Sequence, residues 1–168
     1  MPTTYEPIAT TTLGSATTDI TFSSISGSYT DLILIMNVFT SSDGATPQLQ
    51  FNSDTGTNYS TTFMEGNGGS ASSIRVSSRS YIQLSYNIGG NSTNPQPVIC
   101  HLQNYSNSTT NKTVLSRWNS ATGGTYPGTN AAVSLWRSTA AITSIKIYVG
   151  AGNFNTGSTF TLYGIKAA

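Results

Sequence analysis

Short apolar runs recur along this chain at intervals of about ten to fifteen residues, each bounded by Gly, Asn, Asp, Ser or Pro, and this spacing constrains the fold more than any other feature. No window shows the periodicity of a long amphipathic helix. The pattern predicts an all-β protein with strands at 19–25, 31–39, 48–52, 59–65, 73–76, 80–88, 98–105, 112–118, 131–137, 143–149 and 158–166. Between them, clusters such as 41–44 (SSDG), 54–56 (DTG), 66–69 (GNGG) and 155–157 (NTG) supply residues that tolerate left-handed backbone and so reverse the chain. Pro95, Pro97 and Pro127 mark longer excursions, because proline cannot donate to a central ladder. No fixed-period repeat and no break in composition divides the chain, so residues 1–168 are expected to form a single antiparallel β-sandwich domain.

Two kinds of strand are distinguishable. In 145–149 (IKIYV) and 160–163 (FTLY) apolar and polar residues alternate, as in a strand with one face buried. The run 32–36 (LILIM) is apolar on both faces, which places it deep in a sheet or leaves one face for another subunit to cover.

Ser, Thr, Asn and Gly make up about half of the chain, a bias that elsewhere signals disorder. Disorder also requires high net charge, and this chain carries +1, with its apolar residues gathered into runs. Only 8% of residues are charged, against ~25% in ordinary domains, so few groups are on hand to act as acid, base or metal ligand, and no enzymatic activity is expected. The near-neutral balance gives no electrostatic reason to expect binding to nucleic acid or to an anionic membrane. Neither a secretory signal nor an apolar run of membrane-spanning length is evident, and synthesis in a cytoplasm is expected. All six acids, Glu6 to Glu65, precede all seven bases, Arg75 to Lys166. Either N- and C-terminal strands neighbour one another and neutralise across a shared surface, or subunits attract head to tail.

Individual motifs point away from catalysis. Cys100 and His101 are adjacent, but in a strand consecutive side chains face opposite ways, so a buried Cys and a surface His are expected rather than a nucleophile and its base. No Gly-x-Ser-x-Gly elbow is present. Residues 54–58 (DTGTN) carry oxygens at alternate positions but lack the distal acid of a calcium loop, and read as a hairpin turn. Trp118, Trp136, Tyr126 and Tyr163 are the candidates for a sugar-stacking platform, with the two tryptophans expected in the core and Tyr126 in a loop.

Several segments taken together carry a resemblance: 5–13 (YEPIATTTL), 20–32 (ITFSSISGSYTDL), 49–60 (LQFNSDTGTNYS), and 152–154 (GNF) followed by 158–166 (STFTLYGIK). The chain resembles a family of small β-rich virion proteins of tailed bacteriophages, especially those of cyanobacteria. The resemblance implies a structural protein of the phage particle with a jelly-roll-like β-sandwich; it does not imply a catalytic site and does not fix the location on the particle, and a place on the outer surface of the virion with no cofactor is expected. The first expectation is a capsid decoration, a cement or knob protein bound to the major capsid protein or other virion proteins. The alternative is a tail-associated adhesin that binds a host receptor or surface glycan.

On the decoration reading, residues 1–13 are an extended anchoring segment able to add as a strand to a neighbour's edge, and a homo-oligomer, a trimer first, is expected. On the adhesin reading, Tyr126, Asn67 and Asn91 in loops are the candidate surface-binding residues.

Overall fold

The computed structural model describes residues 4–86, 89–90, 92–120 and 128–166. Twelve strands run through them: β1 Tyr5–Thr12, β2 Asp19–Phe22, β3 Asp31–Val38, β4 Pro47–Phe51, β5 Tyr59–Gly66, β6 Ala71–Arg79, β7 Ile82–Gln83, β8 Gln96–Gln103, β9 Lys112–Ser120, β10 Gly128–Trp136, β11 Ile145–Val149 and β12 Thr159–Ile165. An eight-stranded sheet, ordered β1-β12-β3-β8-β9-β10-β5-β6, packs on a four-stranded sheet, ordered β2-β11-β4-β7. All pairings among these strands are antiparallel. The protein is an all-β sandwich.

Each strand foreseen from the spacing is present, with shifted ends. Among its described residues the segment expected at 80–88 contributes Ile82–Gln83, and its residues 87–88 lie outside the described residues. Pro97 belongs to a strand after all: it is the second residue of β8, where the ladder toward β3 has begun and that toward β9 starts one residue later. Tyr5–Thr12 lies in the chain's own large sheet, paired along β12 and with its other edge open. Pro7 and the bulge between Pro7 and Ala9 interrupt β1, two common guards on an exposed edge.

The core lies between the sheets. Alternation sends Leu32, Leu34 and Met36 of β3 inward, beside Val98, Cys100 and Leu102 of β8 and Phe160 and Leu162 of β12, all essentially inaccessible. The small sheet answers with Phe22, Leu49, Phe51, Ile145 and Ile147. Each such side chain contributes roughly 1.5–3 kcal/mol by leaving water. At one end of the core Trp136 stacks on Tyr59, ring centroids 6.1 Å apart and 11° from parallel, and meets Phe51 edge-on at 5.5 Å.

Two ion pairs fit the first of the two arrangements foreseen for the charges. Lys166 Nζ lies 2.9 Å from Glu6 Oε1, joining the C-terminus of β12 to β1, and Lys146 Nζ lies 3.3 Å from Asp19 Oδ2 between β11 and β2. These pairs are partly exposed and are worth little to stability, but they show N- and C-terminal strands meeting in both sheets.

Candidate functional site

The small sheet has an ordinary outer face. Lys146 pairs with Asp19 there, Gln50 donates to the Ser80 carbonyl at 2.8 Å, and Tyr148 meets Tyr81 edge-on at 6.1 Å. The large sheet does not. Because register is fixed across it, the outward residues form two rows that cross seven strands. One runs Tyr163, Ile33, His101, Leu115, Val133, Thr62, Arg75; the next runs Thr161, Ile35, Ile99, Arg117, Ala131, Met64, Ser73. Apart from His101 and Arg117 the middle of both rows is apolar, and Ile35, Leu115, Val133 and Met64 keep 42, 46, 47 and 69% of their surface exposed. An antiparallel sheet with one face on the core normally turns a polar face outward, so this surface is unusual.

The face is hollowed into an open trough of about 570 Å³, lined chiefly by Ile33, Ile99, Leu115, Val133 and Met64, with Thr62, His101, Ser116 and Arg117 as its polar members. That volume falls in the range of ligand and side-chain pockets. His101 Nε2 lies 3.4 Å from Asp31 Oδ2, and the other carboxylate oxygen of Asp31 accepts the Asn104 backbone N–H at 2.6 Å. Arg117 has no carboxylate within ion-pair distance among the described residues.

The residues singled out from sequence fall elsewhere. Tyr126 and Asn91 lie outside the described residues. Asn67 sits in the β5–β6 turn, where its Oδ1 accepts the backbone N–H groups of Gly69 at 3.0 Å and Ser70 at 2.8 Å; Gly68, at φ 86°, completes the reversal. Its side-chain oxygen therefore builds the turn. Trp118 and Trp136 are in the core, as their strand positions suggested, and Tyr163 is half-buried at the rim of the outer face.

Cys100 points inward among Leu34 and Ser116 while His101 points outward, as strand alternation requires. Burial pushes the thiol pKa up to about 12. Residues 54–58 form a turn in which the carboxylate of Asp54 is already engaged. Asp54 Oδ1 accepts from Gly56 N at 2.8 Å, and Oδ2 accepts from Asn58 Nδ2 at 3.0 Å and from Trp136 Nε1 at 2.7 Å. Partial burial alone would raise this carboxyl, but the three hydrogen bonds outweigh it and hold its pKa below 3.8. No group of three or more His, Cys, Asp or Glu side chains suited to a metal occurs among the described residues.

The outer face was only half visible in the sequence. The doubly apolar run 32–36 announced it, but the matching signal in other strands, the adjacent apolar pairs Val114-Leu115, Ala132-Val133 and Phe63-Met64, is weaker because each pair sits in a Ser/Thr-rich strand. A scan of protein-family models, a search of curated proteins and a search of solved structures each found no match to the chain.

Proposed function

We propose that this chain is a non-enzymatic structural protein of a tailed-phage virion, a capsid surface decoration held to the major capsid protein by the outer face of its large sheet. The observation that carries the reading is that face: a contiguous, exposed apolar surface on a chain whose other sheet face is polar. Attachment buries the trough and its surroundings, and specific interfaces bury ~1,200–2,000 Å² in total. The polar outer face of the small sheet then points away from the shell, with the Ser-, Thr- and Asn-rich loops around the sides.

Connectivity supports the finer part of the resemblance. Numbering only β2 to β8 and β11, the small sheet holds the first, eighth, third and sixth strands. The large sheet holds the second, seventh, fourth and fifth. We read this interleaving as a jelly roll, an architecture used in viral capsids among other places, widened by the β9–β10 hairpin between β8 and β5 and by β12 and β1 outside β3. Architecture does not dictate function, so the proposal rests on the face.

Quantitative mass spectrometry of purified phage, with the major capsid protein as the internal standard, tests it. A copy number comparable to the number of capsomers is expected. A few copies per particle would move the chain to the tail and favour the adhesin, and absence from the particle would end the virion reading.

A further inference from the structure

The trough has a chemical bias beyond being apolar. Its outward rows contain two arginines, Arg117 in the floor and Arg75 toward the β6 edge, and no carboxylate. Several acids are engaged elsewhere: Glu6 with Lys166, Asp19 with Lys146, Asp31 with His101 and Asn104, and Asp54, in the β4–β5 turn, with Trp136. Glu65 points inward, accepting from the Tyr86 N–H at 2.8 Å. Arg117 is thus a planar, five-donor group in one row with Ile35, Ile99, Ala131 and Met64, with no carboxylate within ion-pair distance among the described residues.

We propose that the trough receives a protruding segment of a protein partner in which an aliphatic side chain is followed closely by a carboxylate. The aliphatic group seats between Leu115 and Val133, and the carboxylate pairs with Arg117. Leu115 and Arg117 alternate on β9, so the two anchor points lie about 7 Å apart, the reach of an extended segment with the residues two positions apart. A second copy of this chain is a poor occupant: a two-fold pairing sets hollow against hollow and arginine-bearing rows against each other. A bilayer offers no ridge to fill the hollow. This inference deepens the docking reading above and rests on it for the class of partner.

The test titrates the full-length chain, followed by amide NMR, with three blocked pentapeptides: Leu-Ser-Leu-Ser-Glu and its counterparts ending in Gln and Lys. The glutamate peptide is expected to shift the resonances of Leu115, Arg117 and Val133 and to bind about fivefold tighter than the glutamine peptide, the upper end for a partly exposed ion pair. The lysine peptide should be weakest. Arg117→Gln is expected to erase the ranking while leaving the common apolar binding, and Leu115→Ser to weaken all three peptides. Both positions are exposed, and unchanged thermal unfolding verifies that the variants fold.

Equal binding of the three peptides, or shifts confined to other surfaces, overturns the inference. So does self-association, or flotation on phosphatidylserine vesicles, that Leu115→Ser abolishes, because either assigns the trough to another occupant. Capsomer-level copy number with unranked peptides defeats the inference and spares the docking reading; ranked peptides with no copies on the particle do the reverse.

Discussion

Asp54 shows how a residue with the look of a ligand becomes a brace. Its carboxylate ties the turn at Gly56 and Asn58 to the indole of Trp136, and so fastens a surface loop to the aromatic end of the core. A carboxyl held below its ordinary 3.8 stabilises the fold at pH values above that figure, and the contribution is lost as pH falls through the lower folded-state value. Asp54→Asn should therefore cost about 1 kcal/mol at neutral pH, discounted for partial exposure. The deficit should shrink once the pH drops below the ordinary carboxylate range, as urea titrations at both pH values would show.

Cys100 makes an independent prediction. Its thiol is fully buried and pushed up to about 12, so a thiol-specific disulfide reagent should react only with unfolded protein, at a rate that follows global unfolding. These two assignments were legible in sequence because each depends on local rules, turn chemistry in one case and strand alternation in the other. The partner of Asp54 was not: Trp136 is 82 residues away in the chain.

At the scale of elements, β3 separates the two faces of the large sheet. Leu34 and Ile35 are adjacent, one inaccessible and one 42% exposed. Leu34→Ala should cost about 2–5 kcal/mol through lost burial and the cavity left behind. Ile35→Thr, which keeps β-branching on a surface strand, should stay within about 1 kcal/mol. Chemical denaturation of the pair measures the difference directly, and equal costs would mean that the outer face is covered within the monomer.

Glycine contacts give a second element-level prediction. A Cβ on Gly89 would come within 2.1 Å of the Gly44 backbone, where nothing flexible can yield, so the two connections it joins must separate. Gly89→Ala should destabilise by about 1–3 kcal/mol, measured as a lower thermal midpoint. Strand positions were readable from spacing because long strands carry their own pattern. The two-residue β7 does not, and β1 escaped as a strand since YEPIATTT mixes Pro and Thr without alternation and pairs only with a segment more than 140 residues further on.

At the scale of the molecule, the sequence predicted two antiparallel sheets but not their unequal size. Whether β9 and β10 extend the large sheet or cross to the small one depends on long-range pairings such as Val133 with Leu115 and Thr62, and composition carries no trace of that choice. The consequence is functional, since a broad sheet overhanging a narrow one is what leaves a wide outer face. Charge order was more informative than any motif, because acids early and bases late foreshadowed the meeting of β1 with β12 and of β2 with β11.

The central claim, that this face docks the chain, is tested most directly by hydroxyl-radical footprinting of the protein free and on phage particles. Met64, 69% exposed in the isolated chain, should be oxidised readily when free and become strongly protected on the particle, together with Leu115, while Tyr148 of the small sheet and Tyr81 beside it are labelled equally in both states. Met64 oxidised at the same rate in both states, with protection confined to the small sheet, would contradict the account.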